Sequence, residues 1–491
     1  MGIVFRQSFR NTIIIYTAFV IGGINTLFLY TRFLEDKQYG LVIFILSGAN
    51  LLMPLMAFGS QYSIIKFYSS YTDTGQRERF LSFMLILPLI MGLLTGALGA
   101  LFYGQIAGFL SQKNENIQGY LPYIYIIAVL TAYFELFYAW AKVQLQSVFG
   151  NFIREMFTRI AVMILLVLVY FKVLDFNGFL NALVLSYILR MLVMKLYAFK
   201  LHPPRLDFRL PANAREVLRY AFYIILAASA GSLLLDIDKV MIGGKLPLEN
   251  TAFYTVALFI GSVIEAPGRA MSHIVQPLTS KAINEGNDGE IAALYKKSSM
   301  NLLLVSGLIY LLVNVNIQEL YRILPPQYAG GTWVVWMIST AKLYHMFLGN
   351  NGAIISNSKY YRILLPYSVF SALSVVVLNV ILINKIGING AALATLLVVL
   401  VFNTLKIWFV KHKFGILPFT GKTVWLLLTL MLFFAGFKFW DFPFHPVVNI
   451  VLKSAVLAGL YLYVAVKLHF TGESLRVWRQ VVSKVFPGKK T

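Results

Sequence analysis

Apolar residues in this chain fall in stretches of about 20, separated by short polar connections. A bilayer core about 30 Å thick needs ~20 apolar residues per helix, so each stretch is long enough to cross it. The pattern therefore predicts fourteen transmembrane helices, at residues 11–30, 39–59, 80–103, 120–141, 156–174, 178–199, 220–243, 251–270, 299–316, 328–350, 364–384, 390–409, 423–440 and 446–468.

Basic residues alternate from one connection to the next. Of the 42 Lys and Arg residues, 31 fall in or beside the connections on one side of the predicted membrane and nine on the other. Such an excess marks the cytoplasmic side of a membrane protein. The pattern therefore predicts a multi-pass protein with both termini in the cytoplasm. The net charge of +22 then faces anionic lipid headgroups, and no nucleic-acid partner is expected.

The composition excludes a soluble protein and offers no catalytic chemistry. Charged residues make up 13% of the chain, against about 25% in soluble domains, and the mean hydropathy is +0.73. Cysteine is absent, and the six histidines are scattered without the spacing of metal ligands. No glycine-rich phosphate loop of the Walker type is present. We therefore expect neither an enzyme nor a bound cofactor or metal.

Matching residues recur at offsets near 210, which predicts an internal duplication. Tyr39 matches Tyr254, Tyr120 matches Tyr328, and Asn177 matches Asn389, at offsets of 215, 208 and 212. Six predicted helices per repeat give both repeats the same membrane orientation. The expected fold is therefore all-α, with two six-helix bundles related by a pseudo-two-fold along the membrane normal and two extra C-terminal helices.

The predicted domains follow from that duplication. They are an N-terminal bundle, a cytoplasmic linker, a second bundle, two additional helices and a basic cytoplasmic tail, at residues 1–199, 200–219, 220–422, 423–468 and 469–491.

Charged residues inside the predicted helices are candidates for function, because a charge in the bilayer is costly. They are Glu135, Arg190, Glu265, Arg269 and Lys342. Two of them, Glu265 and Arg269, are spaced i, i+4 and are expected to share one helix face. For the basic members the alternative is structural, since a long side chain can snorkel to the interface or pair internally.

Polar and charged residues elsewhere in or beside the predicted helices form a second group of candidates. Asn25 and Asn50 are expected to face the bundle interior, where they could meet a polar substrate or hydrogen-bond another helix. Asp36, Asp238 and Lys239 lie at predicted outer ends and are interpreted as gate or structural charges. Glu265 or Asp36 is the candidate for coupling to an ion.

Several motifs together resemble a known family. The segments 238–243 (Asp-Lys-Val-Met-Ile-Gly) and 252–257 (Ala-Phe-Tyr-Thr-Val-Ala) are similar to the segment 7–8 signature of polysaccharide transporters. Residues 386–395 resemble the opening of their segment 12, and residues 55–61 resemble the end of their segment 2. These transporters belong to the multidrug/oligosaccharidyl-lipid/polysaccharide exporter superfamily, and within it the chain most resembles Wzx-type oligosaccharide flippases.

The resemblance implies a function. A Wzx-type flippase in the bacterial plasma (inner) membrane moves undecaprenyl-diphosphate-linked oligosaccharide to the outer leaflet by alternating access, for surface polysaccharide synthesis. Arg190, Arg269 and Lys342 would then bind the diphosphate, and Glu135, Glu265, Asn25 and Asn50 would complete the site. Membrane lipids, a coupling ion and other polysaccharide assembly proteins are the expected partners.

Three alternatives stay open. A cation-coupled multidrug exporter predicts an acidic lumen, and a lipid II flippase predicts arginines late in segment 2. A membrane glycan polymerase or ligase would need a sizeable outer loop, and no connection here exceeds about 30 residues.

Overall fold

The computed structural model describes residues 3–111 and 113–470, apart from the side chains at 3–10, 109, 115, 116, 227, 270 and 273. Every regular element in these two ranges is helical. The longer α-helices are Ile3–Ile24, Asp36–Ala57, Thr74–Leu101, Leu121–Val143, Thr158–Tyr170, Phe176–Leu201, Ala214–Lys245, Glu249–Ser262, Ala266–Asn284, Asp288–Val315, Thr332–Phe347, Leu364–Ile386, Ile388–Phe414, Gly421–Lys438 and Pro446–Lys467.

Short helical pieces connect or interrupt these helices. Short α-helices are Tyr30–Phe33, Ser60–Phe67, Tyr103–Leu110, Val148–Phe152, Ile317–Ile323 and Asn351–Asn357. π-helical stretches are Asn25–Leu29 and Ile153–Phe157. Turns of 3-10 helix are Tyr68–Ser70, Glu115–Tyr120, Val263–Glu265, Pro326–Gly331 and Tyr361–Ile363.

Twelve helices within the described residues are long and apolar enough to cross a membrane. The two remaining predicted segments, 156–174 and 328–350, contain the shorter helices Thr158–Tyr170 and Thr332–Phe347. A π-helical stretch precedes the first and a 3-10 turn precedes the second, so each α-helix begins later than hydropathy alone indicates. The all-helical, multi-span fold class is confirmed, and the count of fourteen spans stays a prediction.

The outer surface of these helices is apolar. Large hydrophobic side chains are exposed along several spans, among them Leu93, Leu94, Phe370, Trp408, Met431 and Leu432. Soluble proteins rarely expose contiguous apolar surface on this scale, whereas hydrocarbon covers it in a bilayer. Helices also satisfy their own backbone hydrogen bonds, as a bilayer requires. The chain is therefore a multi-pass membrane protein.

Polar side chains fix where several spans begin. The backbone N–H of Glu35 donates to Gln38 Oε1 (3.2 Å) at the start of Asp36–Ala57. Asp73 accepts from the Gln76 N–H (2.9 Å) and Asp175 accepts from the Gly178 N–H (2.8 Å). Each bond satisfies a donor that the first helical turn leaves unpaired, which explains why the helices begin at these residues.

The chain divides into two compact units. The first comprises Met1–Thr255 and Ser368–Ile388. Its core includes the fully buried rings of Trp140, Phe134 and Phe80. The backbone of helix Asp36–Ala57 approaches residue 248 very closely, since a Cβ at Gly40 would lie 1.9 Å from the Leu248 carbonyl oxygen. Only glycine fits at that position.

The second unit comprises Val256–Tyr367 and Asn389–Thr491. Helices Gly421–Lys438 and Pro446–Lys467 pack against Asp288–Val315, through Leu426, Leu457 and other buried apolar side chains. The Tyr461 hydroxyl donates to the Leu304 carbonyl oxygen (2.9 Å). The domain boundaries predicted from the duplication stay predictions.

Candidate functional site

An ion pair inside the second unit joins two of the predicted site residues. Lys342 Nζ lies 2.6 Å from Glu265 Oε2, and both side chains are half-buried. Glu265 ends the 3-10 turn Val263–Glu265, and Lys342 lies in helix Thr332–Phe347. This partner for Glu265, 77 residues away along the chain, was not predicted. A charge-assisted bond of this length is strong where water is scarce.

Small residues allow the helices of this site to approach. A Cβ at Gly261 would lie 2.9 Å from Ile338 Cγ2 and 3.2 Å from the Ser339 backbone nitrogen. The end of helix Glu249–Ser262 at Gly261 is therefore in close contact with helix Thr332–Phe347. This contact holds the turn that carries Glu265 next to Lys342.

A cavity of about 410 Å³ opens beside this ion pair. Its charged and titratable lining residues are Glu265, Arg269 and His345. The rest of the wall combines small, polar and apolar residues, among them Gly268, Gly349, Asn350, Gly352, Ala353, Ser356, Met271, Val275, Leu302 and Met346. The volume falls within the range of small-molecule pockets. Arg269 in this lining is exposed, and Lys342 lies behind Glu265, with which it is paired.

Hydrogen bonds fix the polar wall of the cavity. Asn350 Nδ2 donates to Thr279 Oγ1 (2.6 Å), and its Oδ1 accepts from Ser298 Oγ (3.1 Å). His345 Nδ1 lies 3.4 Å from Asn403 Nδ2. Side chains locked in this way present fixed hydrogen-bonding positions to a ligand.

A second charged cluster lies in the first unit. Arg154 Nε contacts Glu135 Oε1 at 3.2 Å. Arg190 is 7% exposed, with its guanidinium carbon 3.8 Å from the centre of the Phe134 ring. Its Nη2 donates to the Arg154 carbonyl oxygen (3.4 Å), and among the described residues its Nε has no hydrogen-bond partner. Arg190 is thus buried against protein, where a cation–π contact partly replaces water.

Two of the three predicted gate residues, Asp238 and Lys239, are bonded to other side chains in the first unit. Asp238 Oδ2 accepts from the Tyr254 hydroxyl and Oδ1 accepts from Asn379 Nδ2, both at 2.6 Å. Lys239 pairs with Asp236 instead, at 2.5 Å. The Asp236 carboxylate also accepts from Asn50 Nδ2 (3.2 Å), so this predicted substrate contact is a helix-to-helix bond here.

Two further predicted residues lie apart from the charged clusters. Asn25 is buried in the π-helical stretch and donates to the Arg159 carbonyl oxygen (2.8 Å). Asp36 is the first residue of helix Asp36–Ala57, where the positive end of the helix dipole stabilises a carboxylate. The roles assigned to these residues in binding or gating stay predictions.

Sequence reasoning missed Arg154 and His345 as members of the clusters. Arg154 was counted with the basic residues of a connection, because it precedes an apolar run. His345 is one of six scattered histidines, and only the fold places it beside Glu265. For the Asp238 network a signal existed, since Asp238 and Tyr254 both belong to the family signature. Among the side chains that the structure describes, no three acidic or histidine residues group as metal ligands.

Several solved structures share this fold. A structure of the lipid II flippase MurJ in an inward closed conformation superposes with a TM-score of 0.73 at 12% identity, covering 93% of this chain and 98% of MurJ. An inward-facing multidrug resistance transporter of the MATE family gives 0.61 at 15% identity, covering 81% of this chain and 94% of the other. A Pyrococcus furiosus transporter of the MOP superfamily, described by a binding pocket of reverse polarity, gives 0.50 at 14% identity, covering 85% and 96%.

Sequence comparison assigns the family. No curated protein sequence matched the chain. A family profile described as polysaccharide biosynthesis protein matches residues 8–266, which is more than half of the 491 residues. The chain belongs to the polysaccharide biosynthesis protein family and has the fold of MOP superfamily transporters.

Proposed function

We propose that this protein is a flippase that moves a lipid-diphosphate-linked oligosaccharide from the cytoplasmic to the outer leaflet by alternating access. The observation that carries the proposal is the cavity in the second unit, with Arg269 and His345 in its wall beside the Glu265–Lys342 pair. Glu265 and Arg269 lie in the membrane-length segment Glu249–Arg269, and Lys342 and His345 lie on the shorter helix Thr332–Phe347. The family and the shared fold support the same function.

A diphosphate matches the chemistry of this cavity. Its negative oxygens must be kept from hydrocarbon during transfer, and Arg and Lys supply charge-assisted hydrogen bonds to phosphate. Arg269 would make the first contact, and the diphosphate would then compete with the Glu265 carboxylate for Lys342. The amide of Asn350 and the hydroxyl of Ser356 are suited to sugar hydroxyls.

Arg190, with Arg154 and Glu135, would form a second basic site in the first unit. The two arginines of this second site could form charge-assisted hydrogen bonds to a phosphate group, as proposed for the cavity in the second unit.

Energy for transfer need not come from a nucleotide. An inside-negative potential drives negative charge outward, so two negative charges that cross to the outer side gain about 2.3 kcal/mol each per 100 mV. We place the protein in the bacterial plasma membrane, with both termini in the cytoplasm. Coupling to an ion would involve Glu265 or Asp36, and other polysaccharide assembly proteins would receive the product.

Deletion of the gene and complementation by point variants test the proposal. We expect the deletion strain to accumulate a diphosphate-linked oligosaccharide in the cytoplasmic leaflet, measured by mass spectrometry of extracted lipids. Arg269→Ala and Lys342→Ala should reduce surface glycan at least tenfold at unchanged protein level, and Arg269→Lys should restore part of it. Lys281→Ala is the matched control, because Lys281 lies on the same helix as Arg269 and is exposed.

The same experiment separates the alternatives. Accumulation of lipid II would identify a lipid II flippase, and drug hypersensitivity without lipid accumulation would identify a multidrug exporter. Elongation or ligation of lipid-linked glycan by purified protein would identify an enzyme. Normal surface glycan in both alanine variants would refute the site.

A further inference from the structure

The segment that connects helices Phe176–Leu201 and Ala214–Lys245 has an apolar edge that is exposed in the described part of the chain. Residues 203–208 form neither helix nor strand. At every second position a large apolar side chain is exposed: Leu206 by 62%, Phe208 by 73% and Leu210 by 65%. Asp207 between them is half-buried. Arg209, between Phe208 and Leu210, is exposed as well.

The polar edge of this connection is bound to the first turns of helix Thr74–Leu101. Arg79 Nε contacts Asp207 Oδ2 at 2.9 Å. The Asp207 backbone N–H donates to Ser82 Oγ (3.0 Å), and the Arg205 N–H donates to Glu78 Oε2 (3.2 Å). These bonds hold the connection in one orientation, so its apolar edge is directed away from the protein.

The depth of the connection follows from these contacts. Glu78 and Arg79 are the last charged residues before the apolar run of helix Thr74–Leu101, and Ser82 lies just inside that run. The backbone of residues 205–207 is bonded both to the charged residues and to the first part of the apolar run. Because charged residues stay in the headgroup region, this backbone lies where the hydrocarbon begins. Leu206, Phe208 and Leu210 are therefore at the level of the interface.

The charge of the connection complements a lipid surface. Lys195, Lys200, Arg205, Arg209, Arg215 and Arg219 lie in it or in the adjoining helix ends. Each basic residue near an anionic membrane surface contributes attraction to the headgroups. Basic residues combined with inserted Leu and Phe are typical of segments that lie in the membrane interface.

We propose that residues 206–210 insert the side chains of Leu206, Phe208 and Leu210 into the boundary between headgroups and acyl chains of the adjacent leaflet. The connection is then a lipid-anchored strap bound to helix Thr74–Leu101. This inference does not depend on the transported substrate.

Single cysteines test the strap directly, because the chain has no native cysteine. Full-length variants with cysteine at 205, 206, 208, 209 or 210 are spin-labelled and reconstituted in vesicles of phosphatidylcholine with phosphatidylglycerol. Collision of the label with oxygen reports lipid, and collision with a nickel chelate reports water. Leu226, exposed on helix Ala214–Lys245, is the lipid reference, and Glu285, in an exposed turn, is the water reference.

We expect oxygen collisions at 206, 208 and 210 to exceed those at 205 and 209 at least twofold, with the nickel chelate in the opposite order. Equal, nickel-dominated collisions at all five positions would place the segment in water and refute the proposal. Low collisions with both reagents at 206, 208 and 210 would mean that protein covers the edge, either a second copy or residues 471–491, and would also refute it. All five substituted residues are exposed, so their replacement leaves the core intact.

Discussion

At the scale of single residues, two pairs of opposite charges lie in or beside the membrane helices. Glu265 and Lys342 neutralise each other in the second unit, as Glu135 and Arg154 do in the first. An unpaired charge at such positions would carry the full cost of desolvation. In a pair, each charge is compensated by its partner until a charged ligand replaces that partner.

Glu265→Gln tests this exchange. An amide of the same shape makes a weaker bond to the Lys342 ammonium, so a diphosphate should displace it more easily. We expect the purified variant to bind inorganic pyrophosphate roughly tenfold more tightly, a gain of about 1.4 kcal/mol, by isothermal titration calorimetry. Glu285→Gln, which alters an exposed pair with Lys281, should leave affinity unchanged. Weaker binding by Glu265→Gln would mean that the carboxylate positions Lys342 for the ligand.

Asp207 gives the strap a dependence on pH. Hydrogen bonds from Arg209 and then Arg79 lower the pKa of this carboxyl below its ordinary value of 3.8. The unfolded chain therefore binds the proton more readily than the folded protein does. Asp207 contributes its full stability above the ordinary pKa of 3.8, and this contribution is lost as the pH falls through the lowered pKa of the folded protein. A spin label at position 210 should stay immobile down to pH 4 and become mobile only in stronger acid.

Asp207→Asn is the control for that experiment. The amide cannot form the ion pairs with Arg79 and Arg209, so the label should be mobile at every pH. An immobile label in the variant would show that backbone bonds alone fix the strap.

At the scale of helices, some glycines allow two backbones to touch, and others face open space. Gly40→Ala would place a methyl group against the Leu248 carbonyl, a backbone atom that cannot rotate away. We expect a loss at or above the ~3 kcal/mol upper end of usual overpacking costs, and little folded protein by fluorescence-detected size exclusion. Gly99→Ala is the matched control, because nothing lies within 4 Å of a Cβ there.

Gly99→Ala should leave the melting temperature unchanged or higher, since alanine favours a helix by about 1 kcal/mol over glycine. Equal behaviour of the two variants would contradict the close approach at Gly40.

The helices could be predicted from the sequence more completely than the contacts between them. Hydropathy located the spans because the bilayer imposes their length, and it failed to give full α-helices only where a π-helical stretch or a 3-10 turn intervenes. Two of the partners, Lys342 for Glu265 and Asn379 for Asp238, could not be predicted, because they lie 77 and 141 residues away along the chain. Nothing local in a sequence specifies such contacts, which arise only when helices pack.

At the scale of the whole molecule, the distribution of basic residues predicts one orientation. Cysteines at Lys113 and Asn177, both exposed, should react with a membrane-impermeant maleimide added to intact cells. A cysteine at Arg209 should react only after the membrane is permeabilised, and so should one at Lys489, which lies outside the described residues. Labelling of position 209 in intact cells would show that the predicted orientation is wrong.

The packing of the last two helices has a consequence for biogenesis. Helix Asp288–Val315 is largely enclosed within the folded protein, and part of its cover comes from Gly421–Lys438 and Pro446–Lys467. Ribosomes add roughly 5–20 residues per second, so this helix enters the membrane on the order of 10 s before the second of those helices exists. During that interval lipid must occupy the place of Tyr461 and Leu457. A chain that ends before residue 421 would keep this face uncovered permanently, and membrane proteases could recognise it as incomplete.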